Sequence, residues 1–207
     1  MLPANGGGGR ASIAVSSSDA DSRGSTPMSY ELDDLCKDVG RTLTRGAGPA
    51  ELEAVRQSLA RLLANADFVE RTCGAAATPG LHMLYEHPDL GFQILAHINE
   101  KPRVSPPHTH GQSWAIYGQA TGYTDMTEFK RVDDGSDPQR ARLEPTKKYR
   151  LNPGEVGVYA DGAIHAIDYP AKSRFIRITG TNLDKIYREY FDPATGKIDR
   201  MGPQRAS

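Results

Sequence analysis

From about residue 81 to residue 180 the chain is a succession of short stretches rich in β-branched and aromatic residues. Gly, Pro and Asn punctuate them, and no helical-period segment intervenes. Eight candidate strands follow: 81–86, 91–98, 112–118, 122–130, 147–150, 156–160, 164–168 and 174–180. Consecutive strands without crossover helices rule out a parallel α/β sheet and leave a sandwich or a barrel. Residues 131–146 are charged and turn-rich and read as a hairpin loop. Residues 183–191 read as a short final helix or turn.

The texture before residue 81 is different. Tyr30, Leu32, Leu35, Val39 and Leu43 form a rough helical stripe. Gly46 and Gly48 break it, and Pro49 suits the first position of a second helix. Leu52, Val55, Leu59, Leu62 and Leu63 then recur at three-to-four-residue steps. Such an amphipathic pair packs most simply on one side of the sheet. Residues 1–28 are rich in Gly, Ser and Asp and bury too little apolar surface to offset the entropy of ordering. The expected organisation is a disordered tail over 1–28, a helical segment over 29–78, a β-barrel over 79–192 and a loose polar tail over 193–207. Met28 is a candidate alternative start.

The 207 residues suffice for one domain with a substantial core. A net charge of −1 gives no reason to expect nucleic acid or an anionic membrane as partner. No apolar stretch approaches the ~20 residues of a membrane helix, and the start lacks the apolar run of a signal peptide. A cytoplasmic protein is expected. Its two cysteines, Cys36 and Cys73, are then expected to be free.

The most informative stretch is Pro106-Pro107-His108-Thr109-His110. Alternate residues on a strand share a face, so His108 and His110 can aim at one point. Two prolines fit the beginning of a strand and not its middle. A third histidine, His165, follows the glycine-punctuated run Pro153-Gly154-Glu155-Val156-Gly157-Val158 and then Gly162. Imidazole suits Fe, Zn, Cu and Ni. Three neutral imidazoles leave the ion's charge uncancelled and coordination positions open. A lone His such as His82, His87 or His97 is more often a packed or surface residue than a ligand.

The HxH pair, the later Pro-x-x-x-Gly and the third histidine resemble the two cupin motifs over about residues 80–185. Metal cupins usually add a glutamate four or five residues after the HxH, where this chain has Trp114 and Ala115. Pro107-His108-Thr109-His110-Gly111-Gln112-Ser113, with Gly122 and Glu128-Phe129 beyond, resembles the cysteine dioxygenase (thiol dioxygenase) family. That resemblance implies a mainly β cupin fold, a double-stranded β-helix or jelly-roll barrel, with N-terminal helices packed on it. It implies one Fe(2+) per chain held by His108, His110 and His165, with Ni, Zn or Mn able to replace it in purified protein.

The departures are specific. Ala115 stands where the animal enzymes have a cysteine cross-linked to tyrosine. Ile178, Thr179, Gly180, Thr181 and Asn182 stand where the family has a Ser-His-Tyr relay. Tyr85-Glu86-His87 stands where it has a Tyr-x-Arg that binds the substrate carboxylate. The resemblance so read implies dioxygenation of a small thiol other than free cysteine, or of another small chelating substrate, by O2. Candidate substrate-binding residues are Tyr85, His87, His97, Trp114, Tyr117, Tyr159 and Arg177, with Arg177 a replacement for the lost arginine. Other three-His cupin dioxygenases, a metal-dependent isomerase and a non-catalytic ligand-binding cupin stay open, as do monomer and homodimer.

Overall fold

A computed structural model describes residues 29–203, so the expected tail over 1–28 lies outside the described residues. Three helices come first: α1 Leu32–Leu43, α2 Pro49–Leu63 and α3 Ala66–Cys73. Pro49 opens α2, and the Asn65 side chain caps α3 by accepting from the Phe68 N–H at 3.1 Å. Where a pair was expected, Asn65 divides the second helical stretch in two.

Eleven strands follow among the described residues. One antiparallel sheet has five, in the order β1 (Gly80–Glu86), β2 (Gln93–Ile98), β9 (Arg174–Thr179), β4 (Ala115–Thr121), β7 (Val156–Tyr159). A second has four, in the order β3 (Arg103–Val104), β8 (Ile164–Tyr169), β5 (Thr124–Arg131), β6 (Leu143–Leu151). A hairpin of β10 (Arg188–Phe191) and β11 (Ile198–Met201) completes the set. This is a mainly β fold of two antiparallel sheets and a hairpin, with the helices packed on the outer face of the five-stranded sheet.

Alternation along the strands creates two cores. Ile94, Ala96 and Ile98 of β2, Ile116 and Ala120 of β4, and Ile176 and Ile178 of β9 face outward and meet Leu52, Val55, Leu59, Leu62 and Leu63 of α2. Each buried Ile, Leu or Val among them contributes about 1.5–3 kcal/mol. Gly118 lets α2 come close: a Cβ there would lie 2.6 Å from Leu63 Cδ1 and 2.8 Å from Leu59 Cδ2. Arg174, also on the outward face, donates to the carbonyls of Cys73 and Gly74 at the C-terminus of α3. That anchors the helix where its dipole favours a cation. The inward residues form the second core, in which Ala115, Tyr117 and Phe175 meet Met126, Leu151, Tyr159, Ile167 and Tyr169. At the far end of β4, Gln119 Nε2 donates to Ser173 Oγ at 2.9 Å and its Oε1 accepts from Thr124 Oγ1 at 2.8 Å. These bonds satisfy the polar groups that close the barrel there.

Three local expectations change. Strand β6 begins at Leu143, inside the stretch 131–146 read as a hairpin loop. A short 3-10 turn at Leu183–Lys185 leads into strand β10 where residues 183–191 were read as helix or turn. Residues 193–207, expected to be loose, contain β11, whose Ile198 packs with Phe191 and Ala141. A pair of buried apolar residues and a backbone ladder suffice to hold that polar hairpin. Cys36 and Cys73 are buried and free.

Candidate metal centre

The segment after β3 runs antiparallel to β8, but its prolines interrupt the ladder, since Pro has no N–H to donate. The ladder resumes at His108, whose N–H donates to the His165 carbonyl at 2.9 Å and whose carbonyl accepts from the His165 N–H at 3.0 Å. On its other side, Phe191 N–H donates to the Pro107 carbonyl at 2.8 Å and Thr109 N–H to the Glu189 carbonyl at 2.9 Å. The histidine pair therefore sits on an extended bridging segment between β8 and β10. It was expected at the beginning of a strand. Gly111, at φ +60°, turns the chain from His110 towards β4 and lies so close to the Tyr187 carbonyl that a Cβ would collide with it.

All three imidazoles converge. The possible ligand atoms of His108, His110 and His165 lie within 4.8 Å of one another. Ring centroids are 4.6 Å apart for His108 and His165, 4.9 Å for His110 and His165, and 5.4 Å for His108 and His110. No Asp, Glu or Cys joins the group among the described residues. A tyrosine backs each ring: Tyr190 stacks on His108 at 5.5 Å, Tyr117 on His110 at 5.9 Å, and Tyr159 packs on His165 at 4.3 Å.

The hydrogen bonding fits a metal. His108 Nδ1 lies 3.0 Å from the Pro106 carbonyl, a pure acceptor, so the proton sits on Nδ1 and Nε2 is left for an ion. His165 is fully buried and neither of its nitrogens has a partner among the described residues. An orphaned imidazole in a packed wall is costly unless something binds it. Burial, aided by Arg103, Arg177 and Arg188, pushes His108 down to about 4. Burial likewise holds His110 and His165 well below the usual histidine range. Neutral imidazole is the form that ligates.

A cavity of about 210 Å³ opens over His108 and His110, with His165 buried beneath its lining. Of the candidate substrate-binding residues, His97, Tyr117 and Arg177 are among its lining. His97 stacks on Phe175 at 4.4 Å, and its Nε2 is buried without a partner. Tyr117 Oη lies 3.2 Å from His110 Nε2. Burial raises the Tyr117 phenol, so it keeps its proton at neutral pH. Tyr159 does not reach the cavity. Its hydroxyl lies 2.7 Å from that of Tyr149, which donates to Glu128 at 2.9 Å, so it props His165 from behind.

Three expected residues lie elsewhere. Leu81 and Met83 pair with His97 and Leu95, but a bulge intervenes and Tyr85 pairs with Ile94. One extra residue transfers Tyr85 to the helix side, where it packs on Phe92. His87 follows it against Gly40 of α1 and accepts from the N–H groups of Asp89 and Leu90. Trp114 is buried in the helix-side core, over Gly180. The sequence reading missed Arg103, Arg188 and Tyr190. The alternation Arg188-Glu189-Tyr190-Phe191 was the available signal.

No protein-family model and no curated protein matches this sequence. Among solved structures, KdgF from Halomonas sp. aligns at TM-score 0.36 and 17% identity, over 48% of this chain and 74% of that one. The Cnp3 cupin domain of Schizosaccharomyces pombe aligns at TM-score 0.39 and 11% identity, over 54% and 68%. Oxalate oxidase in complex with the substrate analogue glycolate aligns at 0.35 and 18%, over 53% and 54%.

Proposed function

We propose that this protein is a non-haem iron(II) thiol dioxygenase-like enzyme that converts a small thiol, other than free cysteine, and O2 into a sulfinate. The observation that carries this reading is the ligand set: three buried neutral imidazoles, one orphaned at both nitrogens, with no carboxylate among them. It agrees with the resemblance carried by Pro107 to Ser113. When bound by His108, His110 and His165, iron(II) would lower the thiol pKa and bring sulfur and oxygen together.

The remaining residues prepare the substrate. Arg177 supplies fixed donors for an anionic group on the thiol's carbon skeleton. Tyr117 Oη, still protonated, offers a hydrogen bond beside His110. Phe175, Ile167 and Leu95 keep the cavity wall apolar. Both oxygen atoms end on sulfur, which loses the four electrons that they gain, so no external reductant is consumed.

The test is anaerobic reconstitution with Fe(II), then oxygen-electrode screening of mercapto-acids and aminothiols. Thiol-dependent oxygen uptake with one sulfinate formed per O2 is the expected result. Uptake only with diketones or phenols, or a loaded protein inert to every thiol, would overturn the reading.

A further inference from the structure

The walls of the cavity carry more positive charge than one carboxylate can answer. Arg103, Arg177 and Arg188 line it, and Asp184 is the one acidic residue among its described lining. Arg188 Nη2 and Asp184 Oδ1 are 3.6 Å apart, an ion pair too long for a hydrogen bond, and the Asp184 side chain is 58% exposed. The Nε atoms of Arg177 and Arg188 are buried and without partners among the described residues. Arg177 sits mid-strand, opposite Leu95 on one side and Tyr117 on the other, with the Tyr117 phenol beside its guanidinium. Arg103 is exposed at the mouth. Unpaired buried guanidinium donors are costly, and a ligand oxyanion removes that cost.

We infer that the substrate is a small dicarboxylate: besides the group that meets the metal it carries two negative charges, one held by Arg177 and the other by Arg188, with Arg103 steering it in. This rests on the proposed function for the identity of the site and narrows the thiol to a mercapto-dicarboxylic acid. The volume of about 210 Å³ is below the range of drug-sized pockets and suits a short carbon chain.

Metal-free protein and thiol-free probes separate this inference from the reaction itself. Calorimetric titration with succinate, propionate, succinamide and inorganic phosphate is the experiment. Succinate is expected to bind at least tenfold more tightly than propionate, with succinamide not binding. Arg188→Gln should reduce that preference to less than twofold. Arg103→Gln, at an exposed position that does not bear on folding, should weaken succinate a few-fold and flatten its salt dependence. Equal binding of succinate and propionate, or preference for phosphate or succinamide, would overturn the inference. Selective succinate binding by a protein that oxidises no thiol would leave the dicarboxylate site standing and remove the dioxygenase.

Discussion

The two faces of the five-stranded sheet are made by the same strands and have opposite chemistry. Towards the helices, β2, β4 and β9 present Ile94, Ala96, Ile116, Ile176 and Ile178. Towards the barrel they present Gln93, His97, Tyr117 and Arg177 around a cavity. A strand with period two lets stability and chemistry be placed on alternate residues. The helix side can be dry because α2 covers it. The barrel side bears, beside its own apolar core, His97 Nε2 and Arg177 Nε, buried and without a partner among the described residues. One sheet thus carries an apolar interface on one face and, on the other, a second core that leaves room for a polar cavity.

The largest expected effect comes from breaking the dry face. Ile176→Asp puts an unpaired carboxylate under α2 and should cost more than about 4 kcal/mol, leaving little folded protein in a urea melt. The same melt on Arg177→Met, its neighbour on the wet face, should show little loss. His165→Ala comes next. It should abolish retention of Fe(II) through gel filtration while the apoprotein still melts cooperatively, since it removes a ring with no hydrogen-bond partner. Gly118→Ala follows. Its Cβ would press on Leu59 and Leu63, at a cost of about 1–3 kcal/mol in a denaturant titration.

The smallest effect is a pH dependence that belongs to the wet face. Burial, then Arg177 and Arg103, lower the pKa of His97 in the fold, whereas the unfolded chain titrates near 6.5. The unfolded state therefore binds more protons below that pH, and stability falls as pH falls through it. His108, held down to about 4, adds to the same slope. Urea midpoints of metal-free protein should drop between about pH 6.5 and 4, and less steeply in His97→Phe.

How far the sequence speaks follows the same division. The stripes of α1 and α2, the strands, and the pair His108 and His110 with His165 are legible because period and spacing are local properties. Tyr85 shows the limit. Its place in the stretch matched to Tyr-x-Arg makes it a substrate candidate, and a bulge set by the pairing of β1 with β2 turns it to the helices. Trp114 is misplaced in the same way, because the turn at Gly111 precedes β4 and its side is fixed only by tertiary pairing. Arg188 and Tyr190 escape notice because β10 gains its identity from pairing with the Pro107–Thr109 segment and with a polar β11. The alternation Arg188-Glu189-Tyr190-Phe191 hints at a strand but does not say which wall it joins.

The most direct measurement is iron K-edge X-ray absorption on Fe(II)-loaded protein. One iron per chain is expected, with the multiple scattering of three imidazoles at about the 2.0–2.1 Å usual for a divalent ion on histidine. A fit with fewer than three imidazoles, or with a carboxylate in their place, would contradict the three-histidine centre and every functional statement built on it.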